Sequence, residues 1–229
     1  GYDAARKIAI LATLGFHSAV TFQDVTVEGI ERITHDDICH ATEMGYVIKL
    51  LAIAEQHEDG ISLNVQPTFI PKDHPLASVS GSYNAVFVDG NAVGDVMFYG
   101  RGAGAGPTAS AVVSDLMNVI LHQSLGVAGK RKYLWHDVPL KDPKTMEAPY
   151  YLRMIVDNAP GVLSSISGVF AENRISIRSL IQKDETKETA EIVILIDASQ
   201  AGLVEDSLNH IKALSCVRRI ANAIPVKEF

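Results

Sequence analysis

From Tyr150 to Pro225 the chain repeats one rhythm, and no other stretch restricts its possible folds so far. Apolar, strand-like runs cover Tyr150–Val156, Ile175–Lys183, Thr189–Ile196 and Val217–Pro225, and helical patterns cover Gly161–Glu172 and Gly202–Leu214. The order is strand, helix, strand, strand, helix, strand, which is the split-βαβ, ferredoxin-like plan. Pro160-Gly161 supplies a tight strand-to-helix turn whose backbone can lie close to a ligand. The helix that starts there attracts a carboxylate to its N-terminus.

The first half has another rhythm. Tyr2–Leu14 reads as a helix. Thr34-His-Asp-Asp37 is a capping box that opens a short helix running through Thr42. Tyr46–Glu55, the turn Glu58-Asp-Gly60 and the alternating Ile61–Pro67 read as a hairpin. Ser82–Val88, Asp89-Gly-Asn91 and Ala92–Tyr99 read as a second. Four strands with helices before and after give an expected α+β, mixed sheet with its helices on one face, followed by the ferredoxin-like βαββαβ domain. Between the halves, Gly126–Pro149 is rich in Gly, Pro and charge and lacks periodicity, so it reads as a linker. The expected domains are residues 1–125 and 150–229, joined by 126–149.

Bulk properties exclude several classes. Of 229 residues, 47% are apolar and 21% charged, which fits a packed core rather than a disordered polymer. The net charge of −7 argues against binding nucleic acid by neutralising phosphates. No apolar run reaches membrane-spanning length. The two cysteines, Cys39 and Cys216, suggest no disulfide framework, so a reducing cytoplasm is the expected location. The chain opens without Met in an already helical pattern, so it is expected to be a piece of a longer protein.

The most suggestive chemical motif is Gly100–Leu116, with four glycines at positions 100, 102, 104 and 106, then Pro107, Thr108 and a helical pattern. It follows the strand-like Asp95–Tyr99, and a glycine loop between strand and helix presents bare N–H groups. Gly100, Gly102 and Ala105 match the spacing of a dinucleotide fingerprint. That reading is weak, because no parallel strand ending in an acidic residue follows and Asp115 lies inside the helix. Asp3 and Lys7, four residues apart, share a helix face, as an ordinary exposed ion pair would. His35, Cys39 and His40 form a loose cluster without a fourth partner, so no metal site is expected. No Gly-x-Ser-x-Gly elbow is present. Lys49 and the remaining histidines are assigned no role.

Two resemblances add to this. Asp157-Asn-Ala-Pro-Gly-Val-Leu163 with Phe170–Ile177 resembles the ACT domain, a regulatory module that binds small ligands, often amino acids. The resemblance implies effector contacts at Asn158, Gly161, Val162 and Ser176, with the ligand between two modules. Gly1–Leu11, Ile48–Ala52 and Gly102–Ala111 resemble the catalytic and dimerisation half of homoserine dehydrogenase. That implies NAD- or NADP-dependent interconversion of homoserine and aspartate semialdehyde, threonine feedback, and a homodimer or tetramer. It gives Lys7 the role of catalytic proton shuttle and Asp3 that of its partner or the substrate's. It makes Gly102, Gly104, Pro107 and Thr108 the wall of a pocket for the nicotinamide end of the cofactor. The family's nucleotide-binding domain precedes this half, so the chain by itself is expected to be inactive.

Overall fold

A computed structural model describes residues 1–128, 136, 138–184 and 186–229. In chain order the elements are α1 (Tyr2–Phe16), β1 (Thr26–Val27), α2 (His35–Glu43), β2 (Tyr46–His57), β3 (Gly60–Pro71), β4 (Tyr83–Gly90), β5 (Gly94–Arg101) and α3 (Ala105–Ser124). Then come β6 (Glu147–Asp157), α4 (Val162–Glu172), β7 (Ile177–Asp184), β8 (Thr189–Gln200), α5 (Ala201–Ala213) and β9 (Val217–Pro225). They fall into two compact units, Gly1–Pro71 with Trp135–Phe229, and Lys72–Leu134.

In the first unit, α1 buries a strip of small residues, Ala5, Ala9 and Ala12, at helical spacing. Small side chains let the helix sit close on Ile61, Leu63 and Val65 of β3, with Ala52 and Ala54 of β2 beside them. Strands β2 and β3 form the expected hairpin, in register from Tyr46↔Pro71 to His57↔Gly60. Parallel β1 on the far side of β3 makes the sheet mixed. Gly60 is required at the turn: its φ is +150°, and a Cβ there would lie 2.5 Å from the Pro139 carbonyl oxygen, to which Ile61 N–H donates.

The C-terminal half of this unit is the expected βαββαβ module. Its sheet runs β7-β8-β6-β9, antiparallel throughout. One face packs Leu152, Met154, Ile192 and Ile194 against Ile166 and Phe170 of α4 and Val204 and Ile211 of α5. The other face is covered as well. Tyr151, Val193, Leu195 and Ile224 pack on Ala41 of α2 and Phe69 of β3, and the Phe69 and Tyr151 rings stack at 4.6 Å. Full burial on both faces explains why β6 and β8 read as nearly continuous apolar runs rather than as alternating ones.

Two features differ from expectation. The four N-terminal strands do not share a sheet: β4 and β5 pair only with each other, in the second unit. Residues 126–149 are not wholly a linker. Residues 129–135 and 137 lie outside the described residues, but His136 N–H donates to His17 O at 2.7 Å, Lys141 N–H donates to Ile61 O at 2.9 Å, and β6 already begins at Glu147. The segment lacks side-chain periodicity because backbone hydrogen bonds, not an apolar stripe, attach it.

Candidate functional site

Asp3 and Lys7 stand on the first two turns of α1, and Lys7 Nζ lies 2.8 Å from Asp3 Oδ2. That hydrogen bond, and the charge behind it, holds the Asp3 carboxyl below the usual carboxylate range. Asp3 is thus placed to orient the amine. The Lys7 side chain is 59% exposed. One face round the helix, the Arg6 guanidinium covers the Phe22 ring at 4.7 Å. A cleft of about 410 Å³ continues along Ile10, Thr13 and Leu14.

In the second unit, Gly102 and Gly104 form the loop between β5 and α3, and Pro107 and Thr108 lie in the first turn of α3. Gly102 N–H donates to Ser82 O at 3.1 Å, and a Cβ on Gly102 would lie 2.1 Å from the Asn84 side chain. Gly104 takes φ +118° and caps α3 without a side chain, and Thr108 N–H donates to its carbonyl at 3.1 Å. Pro107 occupies the first helical turn, where its missing N–H costs nothing. The result is a helix N-terminus whose leading N–H groups meet no side-chain cap, suited to a polar or anionic group.

The ACT-like turn between β6 and α4 borders a cavity of about 360 Å³ lined by Asn158, Pro160, Gly161, Val162, Gln182 and Ile192, among others. Gly161 has φ +91°, in the left-handed region, and Val162 is buried behind it. Asn158 N–H donates to Glu188 O at 2.9 Å, which ties the turn to the chain leading into β8. Asp157 is held by Arg218 at 2.7 Å. Ser176 does not join this group. Strand register sets Ile177 beside Ile196 and Ile196 beside Tyr150, so Ser176 lies at the opposite end of the sheet. The separation is about seven residues along β6, roughly 24 Å. Within one chain the four expected effector residues are therefore three and one.

The expected His35, Cys39 and His40 cluster also divides. His35 Nε2 meets Cys39 Sγ at 3.4 Å on the exposed face of α2, whereas His40 is buried on the other side.

Sequence reasoning missed the most buried polar cluster altogether. Arg153 of β6 is 2% exposed, and its Nε donates to Asp37 Oδ1 at 2.7 Å while its Nη1 donates to Glu191 Oε2 at 2.9 Å. Asp37 is fully buried, and it also accepts from Tyr151 Oη at 3.2 Å, Asn222 Nδ2 at 2.7 Å and Thr34 N–H at 2.9 Å. The capping-box acid of α2 is thus also the anchor for strands β6 and β9. His40 Nε2 closes the cluster on Glu191 Oε1 at 2.8 Å, and Lys183 reaches His40 Nδ1 at 3.4 Å and Glu43 at 3.0 Å. Burial pushes the Asp37 carboxyl up, but hydrogen bonds from Arg153, Thr34 and Asn222 outweigh it and the net shift is downward. Glu191 balances the same way, with burial overcome by Arg153 and His40. The one available signal was an arginine inside an apolar run, which demands a buried counter-charge without naming it.

Fold and sites together define an α+β chain that ends in an ACT-type ferredoxin-like module. Residues 152–219 match the family described as AHAS small subunit-like ACT domain. Residues 1–117 match the homoserine dehydrogenase family model, and the chain belongs to that family. It is 42% identical to a homoserine dehydrogenase of Synechocystis over 241 aligned residues, covering 99% of this chain and 54% of that protein. A Bacillus subtilis homoserine dehydrogenase is 40% identical, with 99% of this chain and 53% of that one covered. Among solved structures, a homoserine dehydrogenase from Thiobacillus denitrificans superposes with a TM-score of 0.92 at 36% identity, over all of this chain and 53% of its own. One from S. aureus gives 0.70 at 32%, over all of this chain and 54% of its own. The chain spans about half the length of the curated relatives it matches.

Proposed function

We propose that this chain is the catalytic and regulatory half of a homoserine dehydrogenase, which interconverts L-homoserine and L-aspartate 4-semialdehyde in the supply of threonine and methionine. The observation that carries the reading is the Asp3–Lys7 pair, 2.8 Å apart on an open helix face inside the family-matched segment. When the alcohol is oxidised at carbon, its oxygen must lose a proton, and in the reverse direction the aldehyde oxygen must gain one. Lys7 Nζ takes and returns that proton, and Asp3 orients Lys7 or holds the substrate's amino group.

The loop at Gly102–Thr108 takes the flat nicotinamide end of the cofactor. Its glycines leave the backbone bare, and the helix that follows has no capping side chain. NAD or NADP, when bound, supplies or accepts the hydride. The residues that grip the rest of the cofactor belong, in this reading, to the half of the relatives that the chain does not span.

The ACT-type module takes an amino acid, threonine first among candidates, at Asn158, Gly161 and Val162, with Ser176 contributed by a second module. The protein works as a homo-oligomer, dimer or tetramer, in the cytoplasm. No helix among the described residues is long and apolar enough to cross a membrane.

Replacing Lys7 with Ala in the intact enzyme should lower kcat by about 10²–10⁴-fold in both directions, the range of a lost general acid–base. Near-normal turnover removes Lys7 from the mechanism. A second reading, an amino-acid-binding and dimer-forming module without catalysis, draws on the cavity at the β6–α4 turn. Calorimetry with threonine tests it: binding heat that disappears in Asn158→Ala supports a sensor, and an inactive enzyme that still binds threonine would favour this reading over the first.

A further inference from the structure

Gln182 and Ile192 line the cavity at the β6–α4 turn, and they face each other across the β7–β8 pair. Their chain neighbours Lys183 and Glu191 are the adjacent cross-strand pair. Successive side chains on a strand point to opposite faces. Accordingly Lys183 and Glu191 emerge on the other side of the sheet, where Glu191 meets His40 at 2.8 Å and Lys183 meets Glu43 at 3.0 Å. The sheet is one residue thick here, so whatever displaces Gln182 and Ile192 also displaces the two side chains that grip the end of α2.

The two ends of α2 are held differently. The N-terminal end is fixed by Asp37, fully buried against Arg153, Tyr151 and Asn222. The C-terminal end is held by buried His40 on Glu191 and, at the surface, by the Glu43–Lys183 pair, whose side chains are 58% and 43% exposed. Beyond it Gly45 takes φ +86°, a conformation that glycine adopts freely, and β2 starts at Tyr46. The last turn of α2 therefore sits between a fixed anchor and a glycine joint.

We infer that occupancy of the β6–α4 turn by an amino acid is transmitted through the β7–β8 pair to the last turn of α2, by way of Glu191–His40 and Lys183–Glu43, and so reaches β2 of the dehydrogenase half. The inference rests on the effector reading of the turn given above. It assigns a positioning role to Lys183, Glu191, His40 and Glu43, none of which touches the effector.

The test pairs calorimetry with amide hydrogen exchange on the full chain, using L-threonine and, in parallel, each of the other protein amino acids. An amino acid that binds should change the exchange rate of the amides of Cys39–Glu43 by at least about fivefold, the lower end of ordinary coupling between sites. Lys183→Met, a change at an exposed position, should leave the calorimetric affinity nearly unaltered and cut the α2 response by half or more. Glu191→Gln should abolish the response. Binding that leaves α2 exchange unmoved in the wild type overturns the inference alone. So does a full α2 response in both variants. If no amino acid binds, the effector reading falls and takes this inference with it.

Discussion

Arg153 shows most clearly what one residue can decide in this protein. Its guanidinium is buried between two carboxylates, so removing it strands both charges in a site sealed from water. Arg153→Met should destabilise the fold by about 3–5 kcal/mol, the usual cost of breaking a buried pair by deleting one partner, read from urea unfolding. The same cluster sets an acid limit. Both carboxyls titrate below their ordinary values of 3.8 for Asp37 and 4.5 for Glu191. The folded state therefore holds them ionised where the unfolded chain would take up protons. Their contribution is complete above those ordinary values and is lost as pH falls through the lower, folded ones. Unfolding midpoints measured downward from neutral pH should drop steeply in this acid range, and Asp37→Asn should flatten the slope. Little of this could be read in advance. Arg153 sits in Tyr150–Val156, a run legible as a strand, but its partners lie on α2 and β8, and nothing local ties them together.

At the scale of elements the sequence was far more readable, because caps, turns and periodicity are local. Thr34 and Asp37 form the reciprocal capping box, and α2 starts where that box requires. The Glu58–Gly60 turn closes the hairpin that it announces, whereas the second hairpin turns at Asn91–Val93, because Asp89 and Gly90 still pair with Asp95 and Gly94. What periodicity does not carry is pairing between hairpins, and so β2–β3 and β4–β5 proved to be separate sheets. Of the candidate sites, the glycine loop and the Asp3–Lys7 pair are contiguous stretches, so their local geometry, though not their role, could be read from spacing. The distance of Ser176 from Asn158 could not, since it depends on strand register. Gly161 gives the sharpest element-level prediction. With φ +91° at the head of α4, Gly161→Ala should destabilise the module by about 1–2 kcal/mol, the cost of a left-handed residue with a Cβ. Gly161→Asn should cost less, because Asn tolerates this region. Thermal unfolding of the two variants side by side checks the order.

For the whole molecule, the second unit raises the question of assembly. Helix α3 has no buried residue, although Val112, Leu116, Met117, Val119 and Ile120 are each more than half exposed. A helix apolar on several faces is normally buried, and a two-stranded hairpin is marginal by itself. A second copy is the expected cover. Leu116→Glu should therefore shift sedimentation toward monomer and lower the melting temperature in a concentration-dependent way. The relatives are nearly twice as long as the matched region, so the 229-residue chain alone should turn over no homoserine with NADP. A measurable rate would refute the view that the rest of the enzyme completes the site.

The anchor at Asp37 also bears on how such a chain is made. Its partners Arg153 and Asn222 lie 116 and 185 residues downstream. A ribosome releases α2 long before it releases β6 and β9. Until then the helix cap holds a carboxylate without its cation, and Phe69 and Ala41 lack the strand face that covers them. Pairings this remote in sequence slow folding. The N-terminal half of the chain thus emerges before the strands that complete its anchor, and a ribosome that stops short of β9 would leave that anchor without Asn222.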